Sequence, residues 1–166
     1  MKFFPVLIAL FISGEMVSQE KLLGQLRKDL GTVLESEALI IQYLNLLEKY
    51  DSPVSKAYFG LLKSTQAAFV LWPATKLSYF NEGRSAIESA VAKDPGSIEI
   101  RFVRVLVQCN APAFLGYSSQ INEDVDHIIN GLKQNYNSDI APIIIKNLVQ
   151  LKCLDKKTIS NLKNLN

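Results

Sequence analysis

A chain of 166 residues that is 48% hydrophobic and 20% charged is long enough to bury a core and too apolar to be disordered. Eighteen basic and sixteen acidic residues leave a formal charge of +2, with no basic run longer than two residues. That balance excludes the clustered cationic face a nucleic-acid binder needs, and nothing in it calls for a strongly acidic substrate.

The N-terminus carries the first organised signal. In "MKFFPVLIALFISGEMVSQE" a single Lys2 precedes an apolar stretch from Phe3 to Ile12, and small and polar residues follow. This is the layout of a secretory signal peptide, and the apolar stretch has about half of the ~20 residues a membrane-spanning helix needs. Residues 1–18 are therefore expected to be a signal peptide, cut near Ser18 although Met16 is bulky for its position. The chain is expected to be exported, periplasmic or secreted. No cysteine directly follows the apolar run, which argues against a lipid anchor, and no later segment is apolar enough to span a bilayer.

Residues 20–166 then read as one helical domain. In "LLGQLRKDL" (22–30) the residues Leu22, Leu23, Leu26 and Leu30 share a face. "SEALIIQYLNLLEKY" (36–50) opens on a cap candidate, Ser36. "SPVSKAYFGLLKSTQAAF" (52–69) pairs the cap Ser52 with Pro53 at the first helical position. Leu71-Trp72-Pro73 breaks the helix, because a residue before proline resists helical geometry. Further helices cover about 75–93, 97–109 behind Ser97, 121–135, 138–154 with Pro142 in its first turn, and 155–165 capped by Asp155. Strand alternation and hairpin dipeptides are missing. The expected fold class is all-α, with antiparallel helical hairpins stacked as a short solenoid.

The centre, about 53–135, carries a repeat-like spacing. Gly83, Ile87, Ala90 and Pro95 follow the second-helix pattern of a tetratricopeptide repeat: small, large, Ala, then a terminal Pro. Phe102, Val105, Leu106 and Cys109 match the next first helix if one residue is inserted after Pro95. In that shifted register Arg101, Arg104 and Gln108 leave the buried positions, where charge is costly, and join Ser97 in a polar stripe. The two arginines are expected to be solvated or to pair with acids of a neighbouring helix; alternatively the stripe faces a groove and holds a peptide carboxylate. Pro73 and Pro112 fall in equivalent loops, so Trp72, Phe114 and Tyr117 are expected on one edge. There they either plug the core or form a protein-recognition patch.

The segments "KLSYFNEGRSAIESAV", "PGSIEIRFVRVLVQCNAPAFLGY" and "INEDVDHII" resemble an uncharacterised family of exported bacterial proteins with a tetratricopeptide-like fold. The resemblance spans about residues 20–135 and is densest at 76–95 and 97–129. It implies an exported helical domain, and it carries no catalytic residues across.

The residues themselves offer little chemistry. His127, with Glu123 four residues before it and Asp124 three before it, has the one-turn spacing of a metal site and supports the alternative of a small hydrolase or metal-dependent enzyme. The bland reading is a histidine beside helix-surface acids. HExxH, CxxC, a phosphate-cradling glycine loop and GxSxG are all missing. No catalytic, cofactor-binding or metal residue, small-molecule substrate or cofactor is assigned. The leading expectation is an exported non-catalytic helical-repeat protein, a protein-interaction or scaffold module of the cell envelope with a protein or peptide partner, and Trp72, Phe114, Tyr117, Arg101 and Arg104 are its candidate surface residues. Cys109 and Cys153 sit late in apolar helices, where a free cysteine acts as a small hydrophobe. Export would permit a bridge, so both states stay open.

Overall fold

The structure is a computed structural model that describes residues 18–134 and 139–165. The apolar stretch read as a signal peptide lies outside the described residues. Among those described there are nine α-helices and no strand. They are α1 (18–28), α2 (Leu30–Leu34), α3 (Glu37–Leu47), α4 (Pro53–Gln66), α5 (Pro73–Lys93), α6 (Ile98–Asn110), α7 (Ile121–Gln134), α8 (Ala141–Leu148) and α9 (Lys156–Lys163).

Local chemistry explains where the helices start. The first turn of a helix leaves backbone N–H groups without partners, and a short polar side chain can accept one of them. Ser36 accepts from Leu39 N at 3.4 Å, Ser52 from Ser55 N at 3.1 Å, Ser97 from Ile100 N at 3.3 Å and Asp155 from Thr158 N at 2.7 Å. Those are the four caps that the sequence names. Pro53 stands in the first turn of α4, where its missing N–H is no loss. Pro73 does the same for α5, so the helix expected at about 75 starts on the proline itself.

Two expectations about helix length change. The face of 22–30 is interrupted at Asp29, which separates α1 from α2. The helix expected over 138–154 is described only from Ala141 to Leu148. Residues 149–154 turn instead, although Leu154 is still buried. Periodicity recorded which residues face the core, and the chain meets that demand there without helical geometry.

The long helices pair in antiparallel fashion. Along α4 and α5, Gly60 lies against Gly83 and Ile87, while Lys63 pairs with Glu82 and lies over the Tyr79 ring. A Cβ at Gly60 would come within 2.6 Å of the Gly83 carbonyl oxygen and 2.7 Å of Ile87 Cγ1. A Cβ at Gly83 would collide with the Gly60 carbonyl and with Ser64. The two backbones therefore touch, and only glycine permits it. Along α6 and α7, Ile98 meets Gly131, Arg104 meets Asp124 and Gln108 meets Gln120. α4 also packs on α3 and α6, which joins the pairs into one core.

α6 is the most enclosed helix. Ile100, Phe102, Val103, Val105, Leu106 and Val107 are all buried, and so are Glu99, Arg104 and Gln108, so α6 is enclosed on nearly every side. Its C-terminal end is tied to the turn between α8 and α9 by a Cys109–Cys153 disulfide, with Cα atoms 5.5 Å apart. Of the two states open in the sequence, the bridged one is formed. No helix among the described residues is long and apolar enough to cross a membrane.

The glycine contact makes a two-sided prediction. Gly83→Ala should destabilise the protein by about 1–3 kcal/mol in urea unfolding, because backbone blocks the new methyl. Gly24→Ala, in α1 with open space around it, should be neutral or stabilise by up to about 1 kcal/mol through loss of unfolded-state freedom.

Candidate functional site

The charged residues of the repeat centre converge on one buried carboxylate. Asp124 is fully buried in the first turn of α7. Arg104 grips it with two prongs, Nε to Oδ2 at 2.7 Å and Nη2 to Oδ1 at 2.6 Å. Arg101 donates to the same carboxylate from Nη1 at 2.7 Å. The third nitrogen of Arg104, Nη1, donates to Glu88 of α5 at 3.0 Å, and the Tyr117 hydroxyl donates to the other Glu88 oxygen at 2.6 Å. Arg101 also donates from Nε to the Pro95 carbonyl at 2.9 Å. The network thus ties α5, the Pro95 turn, α6, α7 and the 111–120 loop together.

This placement corrects the solvated reading of the arginine stripe. Arg104 is 5% exposed and Gln108 is 2% exposed. A helix enclosed on nearly every side leaves its polar residues nowhere to reach water, so they bring partners with them. The alternative in which the arginines pair with acids of a neighbouring helix is the one formed. All three Arg104 guanidinium nitrogens donate within the network and the side chain is buried, so it is not presented to a peptide carboxylate in solution. Burial opposes its charge, but the Asp124 hydrogen bonds and charge, with Glu88 behind them, outweigh it and raise its pKa above the ordinary arginine value.

Asp124 is the residue that the sequence reading did not place at the centre, although a signal was present. It lies three residues after Ile121 and four before Ile128, on the apolar face of α7. A carboxylate on that face implies a cation opposite. A second fork, from Arg27 Nε and Nη2 to Glu99 at 2.7 and 3.0 Å, fastens α1 to α6 in the same way.

Tyr117 also departs from the expected aromatic edge. It is 3% exposed, with its ring edge-on to Phe80 at 5.8 Å between centroids and the Arg84 guanidinium 4.7 Å from its centroid. Burial raises its hydroxyl pKa well above the tyrosine range, and the Glu88 hydrogen bond adds to the shift. Tyr117 plugs the core, whereas Trp72 and Phe114 are 76% and 86% exposed.

Those two rings belong to a real surface feature. Of the six large hydrophobic side chains exposed among the described residues, five cluster in sequence around the two loops: Phe69, Leu71, Trp72, Leu77 and Phe114. The loops meet at one groove of about 710 Å³. Ala67, Ala68 and Pro73 line it from one loop, and Ala111, Pro112, Phe114 and Leu115 from the other. Phe80, Leu106 and Val107, all buried residues, form its deeper wall. Trp72 is not itself part of the lining but immediately precedes Pro73, at the start of α5.

The histidine constellation is not assembled as a metal site. His127 Nε2 lies 3.1 Å from the Gly96 carbonyl oxygen, Glu123 pairs with Arg101, and Asp124 is held by both arginines. No cluster of three or more potential metal ligands occurs among the described residues.

No protein-family description, curated protein or solved structure matches this chain.

Two predictions follow from the network. Asp124→Ala leaves buried guanidinium charge without its counter-ion and should cost about 3–5 kcal/mol in chemical denaturation. Asp124→Leu combined with Arg104→Met removes both charges and should recover much of that loss. For Tyr117, the folded pKa lies above the unfolded one, so its contribution is full below about pH 10 and is lost as pH rises beyond it. Stability measured from about pH 9 to 11 should fall less steeply in Tyr117→Phe than in the wild type.

Proposed function

We propose that this chain is a non-catalytic, exported protein-interaction module built as a short tetratricopeptide-like solenoid, with the two-loop edge as its recognition surface. The observation that carries the reading is the concentration of exposed apolar side chains around one concave groove. Large apolar patches on monomers mark interaction sites, and aromatic residues are favoured anchors in them. The arrangement of helices supports the solenoid part. Two antiparallel pairs, α4–α5 and α6–α7, pack side by side with small residues at their crossings, and their long loops come to the same edge. In stacked repeats, insertions collect on one face in this way.

Export is supported by the signal-like layout of residues 1–18 and by the Cys109–Cys153 bridge, since disulfides persist chiefly in oxidising compartments. The non-catalytic part rests on the use of the charged residues. Those that converge are spent on joining helices, and the groove contains no nucleophile–base pair.

Photo-crosslinking in the exported fraction tests the reading. A crosslinker placed at Leu71 should give discrete protein adducts that Trp72→Ala and Phe114→Ala weaken at least about tenfold, roughly 1.4 kcal/mol per substitution. A crosslinker at Ile41, exposed away from this edge in sequence, should not give them. Adducts equal at both positions, or unchanged in folded variants, would sink the recognition surface. Recovery of the protein only from the cytoplasm with residues 1–18 retained would sink export.

A further inference from the structure

The groove has a polarity that a general interaction surface does not require. Its lining includes only one charged residue, Lys76, and no carboxylate. Lys76 is exposed on the second turn of α5, on the same helical face as Pro73, Leu77 and Phe80. It has no ion-pair partner among the described residues. The N-terminal end of α5, whose first turn no side chain caps, adds partial positive charge to the same lip.

Two of the other three polar side chains of the lining are already occupied. Thr65 Oγ1 donates to the Leu61 carbonyl at 2.9 Å, and Asn110 Nδ2 donates to the Leu106 carbonyl at 2.8 Å. The third, the Ser64 hydroxyl, lies buried against Gly83 without a hydrogen-bond partner among the described residues. An occupant therefore meets apolar walls from Leu77, Phe80, Leu106, Val107 and Leu115, with one cation at the mouth. Its volume of about 710 Å³ suits a small ligand, since such sites span about 300–1,000 Å³.

We propose that this groove binds one free long-chain fatty acid, with the acyl chain against the apolar walls and the carboxylate at Lys76. Charge complementarity selects this class. A neutral hydrocarbon leaves the ammonium unused, and a ligand with several polar groups finds too few partners for them. The inference goes beyond the protein-interaction reading and does not depend on it, because it concerns the inner walls and Lys76 rather than the outer ring of Trp72.

The single tryptophan is a built-in reporter beside the groove. Purified full-length protein is titrated with sodium palmitate below its aggregation concentration, with Trp72 emission and calorimetry as parallel readouts. Saturable one-to-one binding with a blue shift is expected. Hexadecan-1-ol, which has the chain without the charge, should bind at least about tenfold more weakly, as should palmitate to Lys76→Glu. Leu77→Asp, at an exposed position that should tolerate the change, should abolish binding while thermal melting stays cooperative. Absence of both heat and spectral change on addition of palmitate overturns the proposal. So does equal affinity of palmitate for wild type and folded Lys76→Glu, or of palmitate and hexadecanol for wild type. Sedimentation showing a dimer that Phe114→Ala dissolves and palmitate does not compete with would assign the groove to a second copy instead.

Discussion

The buried Asp124 carboxylate is the constraint on which the middle of this protein depends. It accepts three hydrogen bonds from two arginines of α6, and the same arginines reach Glu88 of α5 and the Pro95 carbonyl of the preceding turn. Packing alone leaves neighbouring helices free to slide, because apolar contacts have no direction. A forked guanidinium–carboxylate pair has a fixed geometry and fixes register as well as contact. A buried ion pair is weak evidence of stability over an apolar substitute, but removal of one partner is costly. Its role here is to hold α5, α6 and α7 in one arrangement.

The second organising contact is made by the absence of side chains. Gly60 and Gly83 allow α4 and α5 to meet backbone to backbone. With α4 held there and α6 packed across it, the two long loops emerge at a common edge. The division of labour follows from this geometry. A few charged groups are enclosed in the otherwise apolar helix stack, where they join elements, and a few large apolar groups are left outside at the loops. That local concentration of exposed apolar groups is what makes the loop edge the candidate surface.

The C-terminal helices are held differently. α8 touches α6, α9 touches α8, and the Cys109–Cys153 bridge crosses 44 residues to fasten their turn to the end of α6. A bridge of that span restricts the unfolded chain and stabilises by about 2–4 kcal/mol in typical cases. It also lies next to Asn110, which lines the groove, so the covalent link and the candidate surface share one helix end.

Much of this was determined by the sequence alone. The caps Ser36, Ser52, Ser97 and Asp155 act through hydrogen bonds to residues three positions away, and the all-α class follows from a period visible in any short window. The loops at Trp72 and Phe114 were legible for the same reason, since proline punctuation is local. The fate of the arginines was not. Whether Arg104 meets water or Asp124 depends on what covers α6 on its other sides, and on a carboxylate twenty positions away. Tyr117, similar in sequence to its exposed neighbours, turns inward because Phe80 and Glu88 of α5 stand behind it. Cys109 and Cys153 became partners only when α8 turned back onto α6. Short-range hydrogen bonds and periodicity are properties of the chain; burial and pairing over long separations belong to the packed structure, which alone decided them.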